Sequence, residues 1–311
     1  MCEEFSCNGE RLHGAGLAFW WTGRHTSVLF SVTVHSMQAN PTYATKDRKF
    51  WAQVKLISQL VGYTDRRTKT IKRFTLLEVR QALLADGLSV DWMGTLANPS
   101  QEAIDLIKYS EYRSDVLTNE VRQNLMNLEQ AKALFYDLKG KYNPTCPIPL
   151  NKQSGVMKDY NFFTGIVNIL IDESTGRSGC DFDPRALTVI TRDSEPLRTL
   201  SRRVDGAYPS TVNPKAIWEI KEYYYTTTFG SRVADGVYET LLDGTELQEL
   251  YDNEGVDVKH YLFVDAYKTW WEDGRSYLCR MIDMINMGLV DEVIFGREAV
   301  TRIPHIVKNW G

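Results

Sequence analysis

The chain has neither a G-x-x-x-x-G-K-[ST] loop nor a G-x-G-x-x-G turn, so nucleotide hydrolysis and dinucleotide binding lack support. It has no G-x-S-x-G elbow, which leaves a Ser-His-Asp hydrolase without a local signature. Cysteine is sparse and odd in number. Cys2, Cys7, Cys146, Cys180 and Cys279 are scattered, form no C-x-x-C pair and keep no zinc-ligand spacing to a histidine. They read as reduced thiols of a cytoplasmic protein, with Cys279 in a helical core. The five histidines are equally dispersed, and His260, just before an apolar run, reads as structural. No apolar run approaches the length of a membrane span. Excess positive charge is missing too: the net charge is −4, so any contact with nucleic acid must come from local patches of cations.

What is present is a core-forming chain. Of 311 residues, 43% are hydrophobic and 12% aromatic, enough for one large domain or two smaller ones. Residues 1–36 hold two apolar runs interrupted by Arg24 and His25, with Glu3 and Glu4 where a secretory signal would be basic. They fit either a small β-segment or an upstream extension ahead of a start at Met37.

From Asp47 to Tyr142 the periodicity is helical. Phe50, Trp51, Val54, Ile57 and Val61 line one face, and Gly62 stops the first helix. A second helix starts at Thr75, with Glu78 placed for a capping box, and ends at Asp86-Gly87. Further helices are expected over Ile104–Ser110 and Asn119–Leu138. Between the first two helices runs a basic connector containing Arg66, Arg67, Lys69, Lys72 and Arg73, the candidate DNA-contacting cations of a helical region 37–150; the alternative is a solvated charge run. Three prolines within Asn143–Pro149 mark a boundary, after which 151–311 forms a second region.

That second region alternates. Asp159–Asp172 reads as a helix, Leu187–Thr191 as a short strand, and Ala216–Tyr225 as a dense β-branched and aromatic strand. Ser231–Leu250 is helical with Gly244 as a possible break, His260–Ala266 is a buried strand, Gly274–Met287 a helix and Glu292–Gly296 a strand. The expected fold class is α/β, a mixed sheet flanked by helices.

Inside the long strand lies Glu219-Ile220-Lys221, fourteen positions after Val204-Asp205-Gly206. Alternation puts Glu219 and Lys221 on one face of the strand. Two carboxylates and an amine around one point suit a Mg²⁺-dependent phosphodiesterase: oxygen ligands for a hard cation and a lysine beside the attacking water. The same acid-x-Lys pattern at Asp47-Arg48-Lys49 and Asp257-Val258-Lys259 falls on a helix entry and a loop. The bland alternative for Glu219 and Lys221 is a solvated pair on an edge strand. Arg198, Arg202 and Arg203 precede Asp205, placed either to grip a scissile strand or to pair with Asp193 and Glu195. Tyr223, Tyr224 and Tyr225 read chiefly as packing.

These residues resemble the PD-(D/E)xK nuclease superfamily, and within it the type II restriction endonucleases, with Val204 where the usual proline stands. The resemblance covers about residues 160–300. It implies Asp205, Glu219 and Lys221 as catalytic residues, with Mg²⁺ held by Asp205, Glu219 and the carbonyl of Ile220. It further implies Arg202 and Arg203 as DNA contacts beside the connector cations, a homodimer cutting double-stranded DNA to 5′-phosphate ends, and a companion DNA methyltransferase. The acid that many relatives carry on the preceding helix would fall at Asn168 or Glu173. A repair or structure-specific nuclease, and a non-catalytic DNA-binding protein on the same fold, are the alternatives.

Overall fold

Residue-level preferences set the helices first. In the computed structural model, which describes residues 37–310 apart from 66, 154–155 and 226–229, the chain opens with α1 (Pro41–Ala44) and α2 (Arg48–Val61). The segment 1–36 and Arg66 thus lie outside the described residues. Asp47 caps α2 through its side chain, which accepts from the Phe50 N–H, and Gly62 ends it at φ 96°, a left-handed value that favours glycine. Thr75 caps α3 (Leu76–Ala85) by accepting from the Glu78 N–H, while the Glu78 carboxylate turns to Lys72. α4 (Gln101–Val116) is longer than its apolar pattern suggested, because Ser100 caps it a turn earlier. A π-turn (Leu117–Val121) leads into α5 (Arg122–Asn124).

The helix expected over Asn119–Leu138 is broken. Leu125 leaves helical geometry, and Asn127 starts α6 (Leu128–Tyr142) with a reciprocal capping box to Gln130. The break has a tertiary cause: the Met126 N–H donates to the buried carboxylate of Asp265.

A hairpin of β1 (Leu150–Gln153) and β2 (Val156–Tyr160) takes the first residues of the helix expected from Asp159, so α7 spans Phe162–Ser174. Then come β3 (Asp181–Phe182), the hairpin β4 (Val189–Arg192) and β5 (Glu195–Thr199), β6 (Gly206–Tyr208) and β7 (Ala216–Glu222). α8 (Ser231–Glu254) is one unbroken helix. Gly244 does not split it; a Cβ there would lie 2.2 Å from the Leu289 carbonyl, so the glycine permits a close backbone approach. β8 (Lys259–Asp265), a π-turn (Lys268–Asp273), α9 (Arg275–Asn286), β9 (Glu292–Phe295) and α10 (Ala299–Val307) complete the chain.

The fold is mixed α/β. The main sheet has the order β3-β6-β7-β8-β9: β6 runs antiparallel to β3 and β7, whereas β7, β8 and β9 are parallel and joined through α8 and α9. Both faces are covered, as parallel strands require. On one face Ala216, Trp218, Phe263 and Ile294 pack against α6, α7 and α10; on the other, Leu262, Val264, Val293 and Phe295 pack against α8 and α9. A separate apolar cluster unites α2, α3 and α4 around Val54, Ile57 and Tyr109.

The helical region is not an appendage. The described residues, 37–310, belong to one compact unit. Arg113 of α4 and Asp283 of α9 meet at 3.0 Å, Tyr109 donates to the same carboxylate at 2.6 Å, and all three side chains are buried.

Candidate active site at the β6–β7 strand end

The site is built on β7, the central strand. Its register with β6 is Gly206↔Trp218 and Ala207↔Ile217, and Gly206 is needed because the Trp218 indole fills the space a Cβ would take, 2.1 Å away. One step before β6, the Asp205 N–H donates to the Trp218 carbonyl at 3.1 Å, and the Ile220 N–H donates back to Asp205 Oδ2 at 2.7 Å. Asp205 is therefore clamped to the backbone on both sides of Glu219. Because strand residues alternate their backbone groups between edges, the Ile220 carbonyl faces the same edge as its N–H, toward Asp205.

Glu219 and Lys221 share the opposite face of β7 from Ile220 and Glu222, looking toward α8. Glu219 is 0% exposed and Lys221 is 5% exposed, so the solvated-edge alternative is excluded. Lys221 Nζ donates to Glu219 Oε2 at 2.8 Å and to Glu239 Oε2 of α8 at 2.8 Å. Arg202 lies within 2.8 Å of Glu219 Oε1 and 2.6 Å of Asp243 Oδ2, and reaches Glu239 at 3.4 Å. The partners of the basic turn thus lie on β7 and α8: Arg202 meets Glu219, Glu239 and Asp243, and Arg198 pairs with Glu249, not with Asp193 or Glu195. Arg203 is exposed beside Asp205 in a cleft of about 520 Å³.

The electrostatics divide the two acids. Burial, reinforced by Glu219, pushes the Asp205 carboxyl up to about 7. Burial also opposes ionisation of Glu219, but Lys221 and Arg202 outweigh it and hold Glu219 below the usual carboxylate range. Lys221 is likewise penalised by burial, yet Glu219 and Asp205 raise it above an ordinary lysine. It is a charged donor rather than a free base. Burial, then Glu219, raises Asp243 to about 7.

A second cleft, of about 460 Å³, opens on the α7 side. Asp205, Ile220, Glu222, Asp183 and Asn168 line it together. Burial raises Glu222 to about 7, although its carboxylate accepts from the Thr164 N–H and hydroxyl. Of the two positions proposed for an upstream acid, Asn168 faces this cleft with its Oδ1 unpartnered, whereas Glu173 is exposed and pairs with Arg177. Reading by pattern missed Glu222, Asp183, Glu239 and Asp243. Glu222 was visible in the same run, three residues after Glu219 and hence on the other face. Glu239 and Asp243 have the i, i+4 spacing that places two acids on one helix face.

The other predicted cations are distributed unevenly. Lys72 donates to the Val61 carbonyl and pairs with Glu78, and Arg73 pairs with Asp115. Arg67 and Lys69 are exposed. Lys49 pairs with Glu102, and Lys259 with Asp257 and Asp291, so those acid-x-Lys repeats are surface pairs. His260 is buried and its Nδ1 meets the Leu289 carbonyl at 3.0 Å, a structural role. Tyr224 donates to Asp265, and Tyr223 packs on Trp270.

A family model described as a domain of unknown function, DUF7687, matches residues 126–310, more than half of the chain. The chain belongs to the DUF7687 family. A second model, the domain of unknown function DUF7690, matches residues 37–120, the segment that carries α1 to α4. No curated protein and no solved structure matches the chain. No described helix is long and apolar enough to cross a membrane.

Proposed function

We propose that this DUF7687 member is a Mg²⁺-dependent phosphodiesterase of the PD-(D/E)xK type that cuts double-stranded DNA at specific sites, leaving 5′-phosphate ends. The observation that carries this reading is the apposition of Asp205, one residue before β6, and Glu219, in the middle of the central strand β7, with Lys221 Nζ 2.8 Å from Glu219.

The donor set fits a magnesium ion. Asp205, Glu219 and the Ile220 carbonyl are all oxygen donors, and a half-buried carboxyl raised to about 7 by desolvation and then by the neighbouring Glu219 gains from a cation beside it. Among the described residues no three Asp, Glu, His or Cys side chains converge as a closed metal cage. That is compatible with magnesium, which commonly keeps waters and substrate phosphate oxygens as ligands. When bound, the ion would neutralise phosphate charge and lower the pKa of a water nucleophile. The residues do the rest. Asp205 is fixed by the Ile220 N–H. Lys221, held charged, donates from Nζ and orients groups beside Glu219. Arg202 and Arg203 offer guanidinium forks to the scissile strand, Arg202 after leaving its carboxylate partners. A homodimer with one centre per strand, and a partner methyltransferase, complete the proposal for a restriction-type enzyme.

A second reading is favoured by one observation: Arg202 and Lys221 already neutralise Glu219. On that reading the cluster is a structural ion network in a non-catalytic DNA-binding protein. Incubating the chain with plasmid and Mg²⁺ tests both. Discrete fragments that disappear in Asp205→Asn support the restriction-type enzyme. A smear, or cutting only of junctions, points to a repair nuclease. Intact plasmid across Mg²⁺ and Mn²⁺ concentrations overturns the catalytic reading.

A further inference from the structure

A charged concavity lies away from the Asp205–Glu219 site. It is a cleft of about 750 Å³ between the α2–α3 connector, the segment around Thr118–Arg122, and the π-turn that leads into α9. We propose that this cleft grips the phosphodiester backbone of double-stranded DNA through Lys69, Arg122 and Arg275. The proposal rests on the DNA reading above and deepens it: two of the three cations lie far in sequence from the basic connector.

The geometry separates occupied cations from available ones. Lys72 and Arg73 line the cleft but are paired with Glu78 and Asp115. Among the described residues, no carboxylate lies within ion-pair distance of Lys69, Arg122 or Arg275. The one acid lining the cleft, Asp65, accepts from the backbone N–H groups of Arg67 and Thr68 at 2.8 Å each. Glu272 and Asp273 are exposed on the neighbouring π-turn and do not line the cleft.

Trp271 organises the two arginines. The Arg122 guanidinium lies 5.5 Å from the indole centroid and that of Arg275 lies 4.9 Å from it. Such cation–π contacts hold the planar forks in place, so less side-chain freedom is lost on meeting a phosphate. Arg275 Nε is buried without a hydrogen-bond partner. Trp271 itself is only 6% exposed. It offers no open ring on which an unpaired base could stack, which argues against single-stranded DNA and for a backbone contact that ignores sequence. Three cations drawn from three chain segments suit an extended run of phosphates better than one small anion.

The test is fluorescence anisotropy with a labelled duplex in EDTA, where nothing is cut, over a series of KCl concentrations. Each phosphate contact contributes a log–log slope of about one. The wild-type chain should bind, Arg122→Gln/Arg275→Gln should lower the slope by about two, and Lys69→Asn by about one. Asparagine suits Lys69 because that residue sits at φ 55°. If the double variant loses its native circular dichroism, exposed Lys69 decides. Unchanged slopes in the folded variants, no binding by wild type, or equal displacement of duplex by single strands each overturn the proposal. Variant-dependent binding by a chain that cuts no DNA with Mg²⁺ leaves this proposal standing and removes the nuclease reading. Unchanged binding with cleavage intact removes this proposal alone.

Discussion

Replacing Glu219 by alanine tests whether the candidate metal ligand is also a structural keystone. A surface metal ligand could be removed without harm to folding. Glu219 cannot, because it is fully buried and compensates two cations: Lys221, 5% exposed, and Arg202. Removing one partner of a buried ion pair typically costs about 3–5 kcal/mol, since the surviving charge is left in a poor solvent. Here the survivors keep other partners, Lys221 at Glu239 and Arg202 at Asp243. The expected loss is therefore near the lower end, about 3 kcal/mol, and less for Glu219→Gln, which retains a carbonyl acceptor for Lys221. Urea unfolding at neutral pH in EDTA measures it. The sign with pH follows from the depressed Glu219 carboxyl: its contribution is present above the unfolded-state value and is lost as pH falls through the folded one. The wild-type advantage over Glu219→Gln should accordingly shrink on acidification. An alanine variant within about 0.5 kcal/mol of wild type would refute the argument, because buried cations stripped of a partner cannot be that well tolerated. Cleavage by position-219 variants is informative only where they are shown to be folded, and the Gln variant is the fairer probe.

Lys221→Ala should cost several orders of magnitude in cleavage rate, and Lys221→Arg should rescue little, because a planar guanidinium does not reproduce the compact Nζ that donates to both Glu219 and Glu239; near wild-type rates in the alanine variant would make Lys221 purely structural. Asp283→Ala should destabilise by about 3–5 kcal/mol by stranding Arg113, whereas Arg113→Met/Asp283→Leu should lie much closer to wild type; equal losses in both, measured by chemical unfolding, would sink the ion-pair account. Burial raises the Asp265 carboxyl to about 7, so its contribution is present at low pH and is lost as pH rises through that value; Asp265→Asn should gain on wild type between about pH 4 and about pH 7, and a pH-independent difference would contradict this. Gly206→Ala should cost at least about 1–3 kcal/mol, read as a lowered melting temperature, because the new methyl meets the Trp218 indole.

Much of this protein was legible in its residues alone. The periodicities of α2 and β8 and the stop at Gly62 report local geometry, which follows from side-chain spacing and backbone preference. The pairing of Glu219 with Lys221 on one strand face is equally local, a consequence of the two-residue repeat. What sequence could not supply was partnership across distance. The break at Leu125 depends on Asp265, 140 positions away. The place of Gly244 inside an unbroken α8 is explained by a carbonyl from the turn before β9, which approaches where a Cβ would stand. Whether a cation is available or consumed is likewise a tertiary fact: Arg202, Lys72 and Arg73 are taken by carboxylates, while Arg122 and Arg275, unremarkable in the sequence, meet around Trp271. Charge acts through space, and burial sets its strength, so only the folded chain decides which acids and bases can act together.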